Sequence, residues 1–139
     1  MYHKIIIVGN LGNDPEMRYT PDGTPVTNFS VATNRKWANA DGSQSEETTW
    51  FRVTAWRKLA ETCNQYLSKG RQVLVEGRLK PGENGGPRIW TGNDGQPRAS
   101  FEVTALTVRF LGGRGEGVDT SASYQEPPPP DMGEDEIPF

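Results

Sequence analysis

Cysteine, histidine and long apolar runs are what this sequence has least of. Cys63 is the only cysteine and His3 the only histidine in 139 residues. A lone cysteine excludes an intramolecular disulfide and fits a reducing compartment. His3 stands at a strand start with no cysteine partner, so neither a Cys–His nucleophile pair nor a metal cluster is available. The only adjacent carboxylates in the body, Glu46 and Glu47, stand at a loop edge rather than in a cluster suited to nuclease chemistry. No glycine-rich phosphate loop occurs. These absences argue against an enzyme and imply no metal and no cofactor. The N-terminal apolar run, Ile5 to Val8, stops at Gly9-Asn10 and is too short for a signal sequence or a membrane span, so a cytoplasmic, non-membrane location is expected.

Basic residues are missing from one region only. Residues 116–139 hold no Lys or Arg and seven acidic side chains, whereas residues 1–115 hold all 15 basic residues against 11 acidic ones. The overall charge of −3 therefore conceals a mildly basic body and a strongly acidic tail, an asymmetry that points to a nucleic-acid partner. Hydrophobic content is only 33 %, with 16 glycines and 11 prolines, so part of the chain is not expected to pack.

The patterned part predicts five strands and one helix. A β-branched run marks a first strand from His3 to about Leu11. Thr20-Pro21-Asp22-Gly23-Thr24 is a hairpin turn, followed by an alternating strand from Pro25 to Asn34. Asn39-Ala40-Asp41-Gly42-Ser43 marks a loop tip, and Glu47 to Trp56 is the third strand. Arg57 to Leu67 carries a helical apolar face of Leu59, Ala60, Cys63, Tyr66 and Leu67, ended by Lys69-Gly70. Gln72 to Leu79 is a fourth strand. Residues 80–97 read as a long glycine- and proline-rich hairpin loop containing Trp90, and Arg98 to Leu111 is the fifth strand. Three strands, a helix and two strands is the order of the OB-fold, a small five-stranded Greek-key barrel, with a generic α+β domain as the alternative. From Gly112 the pattern stops, and Pro127 to Pro130 favours an extended chain, so this segment is expected to be disordered.

Four tryptophans are present, and their placement carries the functional reading. Alternation puts Trp50, Arg52, Thr54 and Trp56 on one face of the third strand and Phe51, Val53 and Ala55 on the other. The second set suits a core. The first, two flat rings around a guanidinium, suits bases and phosphates. Trp37 follows Arg35-Lys36, and Trp90 follows Arg88, each at a loop-associated position that joins a stacking ring to cations. Lys4, Arg18, Arg57, Lys58, Lys69, Lys80 and Arg98 are weaker candidates to track a phosphate backbone. The chain ends Glu134-Asp135-Glu136-Ile137-Pro138-Phe139. Acids followed by large hydrophobes and a free carboxylate look like a docking peptide; a solubilising acidic tail is the alternative, though it would need no hydrophobes.

Over nearly its full length the chain resembles the bacterial single-stranded-DNA-binding protein family. The resemblance rests on Val8-Gly9-Asn10-Leu11-Gly12 with Asp14-Pro15-Glu16, Arg18-Tyr19, Val31-Ala32-Thr33, Lys58-Leu59-Ala60-Glu61, Tyr66 to Gly70, Val75-Glu76-Gly77 and the acidic Ile-Pro-Phe end. It implies an OB-fold over residues 1–111, a flexible linker over 112–133 and a partner-docking peptide over 134–139. It further implies a homotetramer, nucleoid-associated, that protects single-stranded DNA without sequence specificity during replication, recombination and repair. The family's stacking aromatics fall on Trp37, Trp50, Trp56 and Trp90, with Trp56 where phenylalanine is common. The tail would recruit replication, recombination and repair proteins. The alternative is an OB-fold primosome or RNA-binding module.

Overall fold

The computed structural model describes residues 1–112. The linker and docking peptide expected over 112–133 and 134–139, and the disorder expected there, lie outside the described residues apart from Gly112.

Eight elements follow in order: β1 (Ile5–Leu11), β2 (Glu16–Tyr19), β3 (Pro25–Ala38), β4 (Gln44–Trp56), α1 (Lys58–Tyr66), β5 (Gln72–Lys80), β6 (Arg88–Thr91) and β7 (Pro97–Leu111). The strands lie in the order β1-β5-β7-β4-β3-β2, and β1 also pairs with β3 through Asn10↔Ala32 and Leu11↔Val31. That second pairing closes β1, β5, β7, β4 and β3 into a five-stranded barrel. Among its pairings only β4–β7 is parallel, from Phe51↔Phe101 to Thr54↔Thr104. This is the OB-fold expected from the element order.

Alternation builds the core. In β1, Ile7 and Leu11 point inward while Ile6 and Val8 point out. Phe29 and Val31 of β3, Val53 and Ala55 of β4, Val73 and Val75 of β5 and Val103 of β7 meet them inside. Helix α1 plugs one end with Ala60 and Cys63, and the buried Thr27 hydroxyl donates to the Ala60 carbonyl at 2.7 Å. Burial pushes the Cys63 thiol up to about 11, so this cysteine is a small apolar core residue and not a nucleophile.

Three features depart from the sequence-based expectation. First, β2 pairs with β3 from Glu16↔Asn28 to Tyr19↔Pro25, where no strand is expected. Second, β3 and β4 outrun the barrel as a ribbon reaching Ala38 and Gln44, and the loop expected over 80–97 contains β6, which pairs with β7 from Arg88↔Ser100 to Thr91↔Pro97. Third, α1 ends at Tyr66 with Leu67 already extended, so Gly70 does not cap it. Gly70 instead takes φ 87 in the turn into β5, where the Arg71 N–H donates to the Ser68 carbonyl at 3.1 Å.

One turn design recurs four times. In Thr20–Thr24, Asn39–Ser43, Gly82–Gly86 and Gly92–Gln96 the first N–H donates to the fifth carbonyl, and the fourth residue is a glycine whose N–H returns to the first carbonyl. Those glycines have φ of 86, 84, 80 and 76, a region closed to most side chains, which is why each turn reads Asp-Gly or Asn-Gly at its centre. In three of them the Asp oxygen also accepts a following backbone N–H: Asp22 from Thr24, Asp41 from Ser43 and Asp94 from Gln96.

Candidate nucleic-acid interface

The β3–β4 register sets Trp50 opposite Ala32, Arg52 opposite Ser30, Thr54 opposite Asn28 and Trp56 opposite Val26. None of these partners is large enough to cover an indole. Trp50 stays 54 % and Trp56 42 % exposed, while Val53 and Ala55 on the other face are buried. The Thr54 hydroxyl donates to Asn28 Oδ1 at 2.8 Å, tying the two strands between the rings.

Arg52 stands in register with Glu102 on β7, and Glu102 in turn with Lys80 on β5. Glu102 is only 9 % exposed. A buried carboxylate needs a partner, and it takes Arg88 Nη1 of β6 at 3.2 Å. Trp56, Thr54, Arg52, Lys80, Arg88 and Arg18 of β2 line a groove of about 820 Å³, walled on one side by the 81–87 turn. A smaller recess of about 350 Å³ around Trp50, Phe51 and Phe101 shares Arg52 as a wall. Phe51 and Phe101 meet with ring centroids 6.0 Å apart.

Trp90 lies on a strand rather than in a loop. It is in register with Arg98, whose guanidinium stands 5.8 Å from its ring and is itself held 3.0 Å from Asp94. Alternation places Arg88 and Trp90 on one side of β6, facing the same way as Arg98, Ser100 and Glu102 of β7, so the β6–β7 arm continues the tryptophan face.

Trp37 also lies on a strand, not in a loop. It pairs with Ser45, which puts it on the opposite side of the β3–β4 ribbon from Trp50. Arg35 stacks 5.2 Å from its ring and reaches Glu47 at 3.5 Å. Lys36, opposite Glu46, is on the Trp50 side.

The remaining sequence candidates do not gather in the groove. Lys4 is ion-paired with Glu76, which holds its ammonium above its usual range. The Lys69 N–H is bound by Asp14 Oδ1 at 2.8 Å, in the loop after α1. Arg57 sits at the β4–α1 junction with φ 58, and Lys58 lies 3.9 Å from Glu61. Conversely, Glu102 and Phe101 escaped the sequence reading, which counted cations and tryptophans, and Arg18 gained its place only from the pairing of β2 with β3. Among the described residues no group of three or more His, Cys, Asp or Glu could hold a metal, and no helix is long and apolar enough to cross a membrane.

A closed Greek-key barrel carrying exposed tryptophans and arginines along one face defines the class: an OB-fold single-strand-binding domain. The comparisons with known proteins make the assignment specific. The chain belongs to the single-strand binding protein family, whose model matches residues 2–111. It is 43 % identical over 124 residues to a single-stranded DNA-binding protein of Neisseria meningitidis, covering 89 % of this chain and 67 % of that one. It is 36 % identical to the Wolinella succinogenes single-stranded DNA-binding protein, with both chains covered in full. Among solved structures it matches Plasmodium falciparum SSB in complex with ssDNA, with a TM-score of 0.66 and 29 % identity over 81 % of this chain and 96 % of that one. The family is one of binding proteins, not enzymes.

Proposed function

We propose that the chain binds and protects single-stranded DNA without reading its sequence, by stacking bases on Trp50, Trp56 and Trp90 while Arg18, Arg52, Lys80 and Arg88 meet the phosphates. The observation that carries this reading is the exposed Trp50-Arg52-Thr54-Trp56 row, set against small residues on β3 and merging with a cation-lined groove. Stacking tolerates every base, because every base has a π-face. Arg35, Lys36 and Trp37 extend the path onto the protruding ribbon; Arg57, Lys58, Lys4 and Lys69 add only long-range attraction. The family assignment favours DNA over the RNA-binding or primosome alternative.

Residues 1–111 form the binding domain, residues 112–133 a linker, and Glu134 to Phe139 a docking peptide for replication, recombination and repair proteins in the cytoplasm, at the nucleoid. The working form is a homotetramer. Supporting this, Ile6, Val8 and Leu106 leave a large apolar surface exposed on β1 and β7, and β1 pairs with β3 only at Asn10 and Leu11, leaving most of that edge open.

Tryptophan-fluorescence titration with oligo-dT, oligo-U and duplex DNA at two salt concentrations tests the binding. Strong quenching by oligo-dT is expected, with weaker affinity at high salt. Equal affinity for duplex would overturn it. Light scattering on Ile6→Asp, expected to yield smaller species, tests the tetramer.

A further inference from the structure

Gly12, in the loop just after β1, lies against the six-membered end of the Trp50 indole. A β-carbon built on Gly12 would fall 2.8 Å from Trp50 Cη2 and nearer still to Cζ3, with Ser30 Oγ at 3.2 Å. Gly12 is not among the glycines with positive φ, so its φ alone does not require glycine. What excludes a side chain there is the indole.

The loop cannot easily yield instead. The Gly12 N–H donates to the Ser30 carbonyl at 3.0 Å, and Asn13 Oδ1 accepts the Ser30 N–H at 3.0 Å. On the other flank, the Leu11 N–H reaches the Arg71 carbonyl and the Gly70 N–H returns to the Leu11 carbonyl, each at 2.9 Å. Asp14 Oδ1 then holds the Lys69 N–H. The backbone is stitched on both sides, whereas the six-membered end of the indole is the free end of a side chain standing over an alanine. An added methyl therefore moves the ring and not the loop.

We infer that Gly12 is a positioning residue for DNA binding: it is the seat on which the Trp50 indole rests, and it fixes the angle at which that ring meets a base. This rests on the reading of Trp50 as a stacking residue. Trp50 as a whole is still more than half exposed, so contact with Gly12 leaves much of the side chain to the ligand. Strand pairing alone does not orient a tryptophan whose cross-strand neighbour is small, and in this chain the missing orientation comes from the β1 loop.

The test uses the full chain and three variants: Gly12→Ala, Trp50→Ala and the two combined. In the free protein, the Trp50 indole N–H resonance is expected to shift in Gly12→Ala, with the melting temperature nearly unchanged. Oligo-dT affinity should fall roughly fivefold to tenfold, a partial loss of one stacked base, with the salt dependence unaltered. In the Trp50→Ala background the same glycine change should cost nothing further. An unmoved indole resonance, a large drop in melting temperature, or an equal affinity loss with and without Trp50 would each overturn the inference. A shifted indole with unchanged affinity in both single variants would support the seat and overturn instead the stacking role of Trp50.

Discussion

The two faces of β4 share one backbone and one pair of neighbouring strands, yet they differ in everything else. Phe51, Val53 and Ala55 point into the barrel, where Val53 and Ala55 are fully buried. Trp50, Arg52, Thr54 and Trp56 point out, opposite residues too small to cover them. The inward face is worth its energy to folding. The outward face gives up burial that two tryptophans could have had, and that surface remains available to a ligand. If the outward row binds DNA as proposed, stability and binding are separated by a one-residue step along a single strand.

Mutations should separate them as cleanly. The largest effect is expected from Trp50→Ala combined with Trp56→Ala. Losing two stacking rings should weaken oligo-dT binding by about 2–4 kcal/mol while calorimetry shows almost no change in melting. A matching loss of stability would mean that the rings hold the barrel together. Val53→Ala should do the reverse, costing about 2 kcal/mol in denaturant unfolding and leaving affinity intact where the protein is folded. Arg52→Met removes the charge between the rings and keeps most of the side chain's bulk. Its mark should be on salt: the slope of log affinity against log salt should shrink by about 0.7, one phosphate contact on a single strand. An unchanged slope would remove Arg52 from the phosphate path.

The smallest effect belongs to the turns that carry the strands past the barrel. Asp22 is held below the usual carboxylate range by the Thr20 hydroxyl and the Thr24 N–H, Asp41 by the Ser43 hydroxyl and N–H, and Asp94 by the Gln96 N–H and Arg98. A carboxyl that is more acidic folded than unfolded stabilises the fold above its unfolded value of about 3.9 and loses that contribution as pH falls through its folded value. Amide hydrogen exchange in these hairpins should therefore loosen only below about pH 4. Faster exchange already at neutral pH would show that the aspartates do not hold the turns.

The barrel was legible because its strands are half-buried. Ile7, Phe29, Val53 and Val75 alternate with outward residues, and alternation is what periodicity detects. The arms were not, for the same reason: Arg35, Lys36, Gln44, Ser45 and Glu46 pack against no core, so neither face of the ribbon is marked. Turn chemistry was the better guide there. Asn84-Gly85 and Asp94-Gly95 carry the same signal as Asp22-Gly23, and taken together they would have bracketed β6. The Trp50–Trp56 row followed from alternation alone. Its junction with Glu102 did not, because it depends on a parallel pairing between strands separated in the chain by α1, β5 and β6; nor did the place of Gly12 against Trp50, which depends on the loop after β1 meeting β3 and β4.

Trp37 and Trp50 occupy opposite sides of a ribbon two strands wide. A ligand that touches both must bend around the ribbon's edge. Duplex DNA, with a persistence length of about 150 base pairs, is far too stiff to follow that curve, whereas a single strand turns at nearly every bond. On the proposed binding path, the protruding hairpin would add mechanical compliance to base stacking as a second ground for preferring a single strand.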